Sequence, residues 1–165
     1  LKKYSWGNAR WDDLVAILEK AAQKPLGEWS RMWVKEAGMP VIAPVITEEE
    51  GYKISFHEDD PAGLLRHWPQ TLKTMVITAT DTVTVDMEPA DRDSRVTIAD
   101  QPLCIIPDIS GRAYGTFLLD SLSAGHLLSE LPGMHDPLLK GIIWINLTEN
   151  RKSRRMNPSH IDLAR

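Results

Sequence analysis

Apolar residues recur at every second position in one part of the chain, Gly51 to Phe117, and that spacing predicts a sheet. Tyr52, Ile54 and Phe56 fall on one side of a strand, with Lys53, Ser55 and His57 on the other. Glu58-Asp59-Asp60-Pro61-Ala62-Gly63 reads as a turn-rich loop, and Trp68-Pro69-Gln70 introduces a strand over 71–78. After a tight turn at Asp81, Thr82 to Met87 alternates cleanly, with Val83, Val85 and Met87 inward. A turn over 88–93 precedes short strands at 94–98 and 103–106, and a bend at Gly111 leads into a last strand over 112–117. Short strands with turn signals at roughly ten-residue spacing, and no long helices between them, predict an antiparallel sandwich.

On either side the period changes to three and four. Trp11, Leu14, Val15, Leu18, Ala21 and Ala22 form the stripe of a helix over 9–23, with Asn8 as its N-cap and Pro25 as its stop. A second helix from Leu26 sets Trp29, Trp33 and Ala37 on one face and ends at Gly38. Pro40-Val41-Ile42-Ala43-Pro44 reads as a stiff extended connection, continued by Thr47-Glu48-Glu49-Glu50 as a charged approach to the sheet. Beyond the sheet, Ser123 caps a helix carrying Leu127, Leu128 and Leu131, and Asp136-Pro137 opens another over 138–147. That helix is apolar over most of its circumference, which predicts burial on more than one side. Asn157-Pro158-Ser159 reads as a third helix start. The expected fold class is therefore α+β, mainly β: an antiparallel β-sandwich flanked by an N-terminal helical hairpin and C-terminal helices.

At 165 residues, with 42% hydrophobic and 25% charged positions, this is a globular chain of one ordinary domain, or of a small domain carrying pieces of its neighbours. A net charge of -4 gives no overall attraction to nucleic acid or to an anionic membrane, so neither is an expected partner. The one basic cluster, Arg151-Lys152-Ser153-Arg154-Arg155, reads as a solvated loop. No apolar run reaches 18 residues, and Leu1-Lys2-Lys3-Tyr4 lacks a signal-peptide core. The chain reads as cut from something longer, which leaves its compartment open.

Residue chemistry offers little. The histidines His57, His67, His126, His135 and His160 have no helical pair spacing, which excludes a zincin-type H-E-x-x-H among them. Ser110 before Gly111 reads as a turn serine, and Cys104, in the run Leu103-Cys104-Ile105-Ile106, as a buried small hydrophobe. Glu48-Glu49-Glu50 and Asp59-Asp60 lack the alternating ligand pattern of a Ca²⁺ loop. The sequon Asn146-Leu147-Thr148 falls inside a helix, and Trp6, Trp11, Trp29 and Trp33 read as core stripe rather than a stacking platform. The expected site residues are accordingly none, whether catalytic, cofactor-binding or metal-binding.

The order of the segments says more. Lys2-Lys3-Tyr4-Ser5-Trp6-Gly7-Asn8-Ala9, Asp12-Asp13-Leu14, Leu26-Gly27-Glu28-Trp29-Ser30-Arg31-Met32-Trp33 and Ala37-Gly38-Met39-Pro40-Val41 resemble the closing helices of the catalytic domain in aminopeptidase N-like zinc metallopeptidases. Trp68-Pro69-Gln70, Ile106-Pro107-Asp108 with Gly111, Tyr114-Gly115 and Phe117, and Asp136-Pro137-Leu138-Leu139 resemble that family's sandwich strands and the opening of its C-terminal helical domain.

The resemblance implies the end of a thermolysin-like domain over 1–44, a β-sandwich over 45–117 and the beginning of a helical domain over 118–165. It further implies a parent hydrolase that removes N-terminal residues from peptides with zinc. The family's H-E-x-x-H with its downstream Glu, its G-x-M-E-N signature and its catalytic tyrosine would lie upstream. Tyr4 matches the later helix phrase and is not that tyrosine. This portion would then be non-catalytic, with the parent's remaining domains as partners. Zinc and peptide substrates would belong to the parent, and exposed helix faces near Trp29 and Trp144 could drive self-association. A stand-alone sandwich module binding protein or glycan is the alternative, and a hydrolase of loop Ser, His and Asp residues has least support.

Overall fold

A computed structural model describes residues 7–89, 91 and 93–156, except the side chains of the last four. The readings at residues 1–6 (Tyr4 and Trp6 among them), at His160 and at the helix start from Asn157 lie outside the described residues. The chain divides into two compact units between Ala37 and Gly38.

The first unit is a helical hairpin of α1 (Trp11–Ala22) and α2 (Gly27–Ser30), which continues as a π-helical turn, Arg31–Lys35. Arg10, not Asn8, is the N-cap of α1, and its backbone N–H is held at 2.9 Å by the Asp13 carboxylate. Gln23 ends α1 in the left-handed region at φ 53°. Trp11 and Trp29 stack with ring centroids 6.5 Å apart, and the Trp11 indole donates to Ser30 Oγ at 2.7 Å. Of the stripe expected to be buried on α1, only Val15 is; Leu14 and Leu18 are exposed.

The second unit begins with β1 (Val41–Glu49) and β2 (Gly51–Asp59), antiparallel along their whole length. The expected extended connection at Pro40–Pro44 and charged approach at Thr47–Glu50 are thus mostly the first strand, and the turn-rich loop starts later, because β2 runs through Asp59. Pro44 is accommodated for a definable reason. The carbonyls of Pro40 and Ile42 accept from Thr116 and Leu118 at 2.9 and 2.8 Å, so even-numbered residues of β1 direct their backbone groups away from β2. The missing N–H of Pro44 falls on that same side and removes no β1–β2 bond. Gly51, at φ 109°, is required at the hairpin tip, since a Cβ there would stand 2.7 Å from the Ile98 carbonyl oxygen.

β3 (Leu72–Ile77), β4 (Thr82–Met87), β5 (Val96–Ile98), β6 (Cys104–Ile106) and β7 (Thr116–Phe117) complete two sheets. Sheet A has the order β5-β2-β1-β7 and sheet B the order β4-β3-β6. All pairings are antiparallel except β7, which joins β1 parallel over two residues, Val41↔Thr116 and Ile42↔Phe117. The sandwich expected from alternation is present, with this one parallel edge as a difference.

Two cores flank sheet B. Ile42, Ile54, Phe56, Leu72, Val76, Met87, Ile98 and Ile105 fill the space between the sheets. Cys104, Ile106, Leu119, Leu127, Leu131 and Ile143 pack on its other side with Met75 and Ile77. The second core is supplied by α3 (Ser121–Glu130), a 3₁₀ turn at Leu131–Gly133 and α4 (Pro137–Met156). A strand covered on both faces needs apolar residues at consecutive positions, which is why Cys104-Ile105-Ile106 does not alternate.

Three C-terminal readings change. Asp120 is the N-cap of α3 and accepts from Ser123 N at 2.9 Å, while the Ser123 hydroxyl accepts the Ile105 N–H at 2.8 Å, tying the helix to the sheet edge. α4 continues past residue 147 to Met156, so the basic cluster is helical, and cations suit the last turns of a helix. α4 is buried along one side only, at Ile143, Asn146 and Asn150, with Leu138, Trp144 and Ile145 exposed.

Ile105→Ala is expected to cost about 2–5 kcal/mol by urea unfolding, and Leu103→Ala, at an exposed neighbour, less than about 0.5 kcal/mol. Equal costs would contradict the two-sided burial of β6.

Candidate functional site

The β2 alternation carries Glu58 onto the inward face, opposite Ile42 in the ladder. Its carboxylate, nearly buried, accepts the Trp68 N–H at 2.8 Å and meets His67 Nδ1 at 2.7 Å. Trp68 is itself buried, with the Arg66 guanidinium 5.0 Å from its ring centroid. Arg66 donates from Nε and a terminal nitrogen to Asp60 at 2.8 and 2.9 Å, and Asp60 also accepts the backbone N–H groups of Ala62 and Arg66 at 3.0 and 3.2 Å. The side-chain bond from Arg66 holds the Asp60 carboxyl well below the usual range, against the opposing effect of burial. This ion pair closes a loop whose apex carries Leu64, 66% exposed, and Leu65, 93% exposed at φ 54°.

A second buried carboxylate sits across the same end of the sandwich. Asp108 accepts from the Lys73 N–H at 3.1 Å, the Ser110 N–H at 3.2 Å and hydroxyl at 2.7 Å, and the Ala113 N–H at 3.4 Å. Burial opposes its ionisation, but these bonds together outweigh it and lower its pKa. The Gln70 amide both donates to and accepts from the Tyr114 backbone at 2.9 Å. The phrases Trp68-Pro69-Gln70 and Pro107-Asp108 through Tyr114 therefore supply scaffold bonds that join strands to loops.

The Ser110 hydroxyl proton is committed to Asp108. Cys104 is fully buried, and burial pushes its thiol pKa up to about 12, so at neutral pH it is a protonated small hydrophobe. His57, His67 and His135 are exposed on a strand, a loop and the approach to α4, and His126 lies partly buried on α3. Among the described residues no three His, Cys, Asp or Glu side chains stand close enough to hold a metal. His67, Gln70, Glu88 and Asp91 do line a small polar hollow of about 170 Å³. The sequon residue Asn146 is buried, and its amide nitrogen has no hydrogen-bond partner among the described residues. No helix among them is long and apolar enough to cross a membrane.

An open groove of about 570 Å³ lies at the helical layer, lined by Ala124, Leu128, Trp144, Leu147, Asn150 and Arg151. Its walls are mostly apolar. Sequence reading anticipated exposed apolar surface near Trp144 but missed the Asp60–Arg66 clamp and the leucines it presents. The only trace of the clamp is an acid and a base bracketing Pro61-Ala62-Gly63.

No family model matches the chain. Over 56 residues, 33% of its length, it is 38% identical to aminopeptidase N of Streptomyces lividans, a stretch that is 6% of that protein. It is 32% identical over 59 residues to rice aminopeptidase M1-C, covering 36% of this chain and 6% of that one. With rice aminopeptidase M1-B it shares 40% identity over 42 residues, 26% of this chain and 5% of the relative. The matches thus span a small part of each curated relative. Over about a third of its residues the chain is similar to aminopeptidases of the N/M1 kind.

Because the Asp60 pKa is lowered in the folded state, the clamp's contribution is present above the ordinary Asp pKa, about 4, and is lost as pH falls below it. Asp60→Asn should lower the melting temperature at neutral pH, and the gap from wild type should shrink on acidification below about pH 4. A gap independent of pH would count against the ion pair.

Proposed function

We propose that this chain is a non-catalytic structural portion of a zinc-dependent aminopeptidase whose parent removes N-terminal residues from peptides. The observation that carries the reading is the 32–40% identity to aminopeptidases over partial stretches. In this reading the helical hairpin closes the catalytic domain, the sandwich braces it, and α3 and α4 begin a C-terminal helical domain that limits substrate access. Its partners are the remaining domains of the parent, and zinc and peptide contacts belong to those domains. The rigid bonding of the sandwich end, through the Glu58, Asp60 and Asp108 carboxylates, suits a brace that must keep its shape under load. The matches do not favour a stand-alone glycan- or protein-binding module.

Two measurements test this. The coding sequence upstream of Leu1 should contain, in frame, H-E-x-x-H with a downstream Glu; a start codon directly before Leu1 would contradict the reading. The 165-residue chain, equilibrated with zinc and dialysed, should retain far less than one equivalent and leave an aminoacyl anilide uncleaved. Stoichiometric zinc, lost when particular histidines are replaced, would overturn it.

A further inference from the structure

The sequon asparagine, Asn146, is 3% exposed, yet its amide nitrogen has no hydrogen-bond partner among the described residues. An amide N–H taken out of water and given nothing in return is costly, so the identity of its neighbour matters. The aminopeptidase reading gives this residue no role, and it is not in the wall of the α3/α4 groove.

Backbone direction identifies the neighbour. Thr116 and Leu118 donate to the carbonyls of Pro40 and Ile42 on β1 at 2.9 and 2.8 Å. Backbone groups alternate sides along an extended segment, so the N–H and C=O of Phe117 point away from β1, as does the N–H of Leu119. On that side Leu119 meets α4, where Asn150 Oδ1 accepts its N–H at 3.4 Å. α4 runs the same way as this segment: a Cβ on Gly111 would stand 3.4 Å from Ile142 Cδ1 and 3.8 Å from Leu138 Cδ1, while Asn150 reaches Leu119. Asn146 shares the buried helix face with Asn150, one turn earlier, and Phe117 lies two residues before Leu119. One helical turn and two extended residues each cover about 6 Å, so Asn146 comes level with Phe117.

We infer that Asn146 and Phe117 hold one buried water molecule between them. Asn146 Nδ2 donates to the water oxygen, the water donates to the Phe117 carbonyl, and the Phe117 N–H on the same side donates to the water as a third partner. Three polar partners are what a buried water ordinarily has. α4 thereby takes the place of a further strand along the outer edge of β7: Asn150 serves Leu119 directly, and Asn146 serves Phe117 through water. The sequon amide is then a structural group of the joint between sandwich and helices.

A high-resolution crystal structure of the whole chain should show an isolated density peak about 3 Å from both Asn146 Nδ2 and the Phe117 carbonyl oxygen. In solution, the Phe117 N–H of the isotope-labelled chain should give a nuclear Overhauser effect from a long-lived water. That signal should be lost in Asn146→Leu, which keeps the branching at Cγ and removes the donor. Should the variant fail to fold by circular dichroism, the wild-type density alone decides. No peak at that place, a direct bond from Asn146 Nδ2 to a protein oxygen, or a water signal at Phe117 that survives in Asn146→Leu would each overturn the inference.

Discussion

In sheet B, β6 and the neighbouring half of β3 are buried on both faces, and the second unit is built on that burial. Ile105 and Val76 point into the space between the sheets, while Cys104, Ile106, Met75 and Ile77 point into the helical layer. Removing either layer would expose one face of a strand with no polar side, so the sandwich and its helices stand or fall together. The edge strand β6 is secured as well as covered. Its Ile105 N–H, which an open edge would leave to water, is taken by Ser123 of α3. Cys104 owes its inertness to the same arrangement, since the packing that hides it also keeps its thiol protonated.

Strands with one wet face were legible in the sequence. β2 and β4 alternate because one face meets the core and the other is polar, and their bounds, like those of β3, fall within a few residues of the expected ones. β1 was missed because Val41 to Ile46 is uniformly apolar and contains a proline, and only the backbone direction shows that Pro44 does no harm. α4 was read short because its charged second half resembles a solvated loop. A helix with one buried side needs no apolar residue there. Ser123 looked like a cap, but its hydroxyl serves a strand about twenty residues away in sequence order, a partnership that local spacing does not encode.

The polar residues follow the same division. Glu58, Asp60 and Asp108 appear in sequence as loop acids, the most ordinary of surface residues. In the fold each is buried and meets hydrogen-bond donors, which makes them structural. The phrases around Trp68 and Asp108 lie at these points, and there they supply hydrogen bonds that join strands to loops. The leucine apex depends on the clamp beneath it and could not be seen without the strand end that brings Asp60 to Arg66.

Native-state hydrogen exchange tests the two-sided burial of sheet B most directly. The amides of Val76 and Ile105 should exchange only through global unfolding, with an opening free energy equal to that from urea denaturation, and amides of α3 should join them in the same cooperative unit. Exchange of Ile105 through a smaller opening, with the helices lost while the sandwich stays closed, would contradict the account.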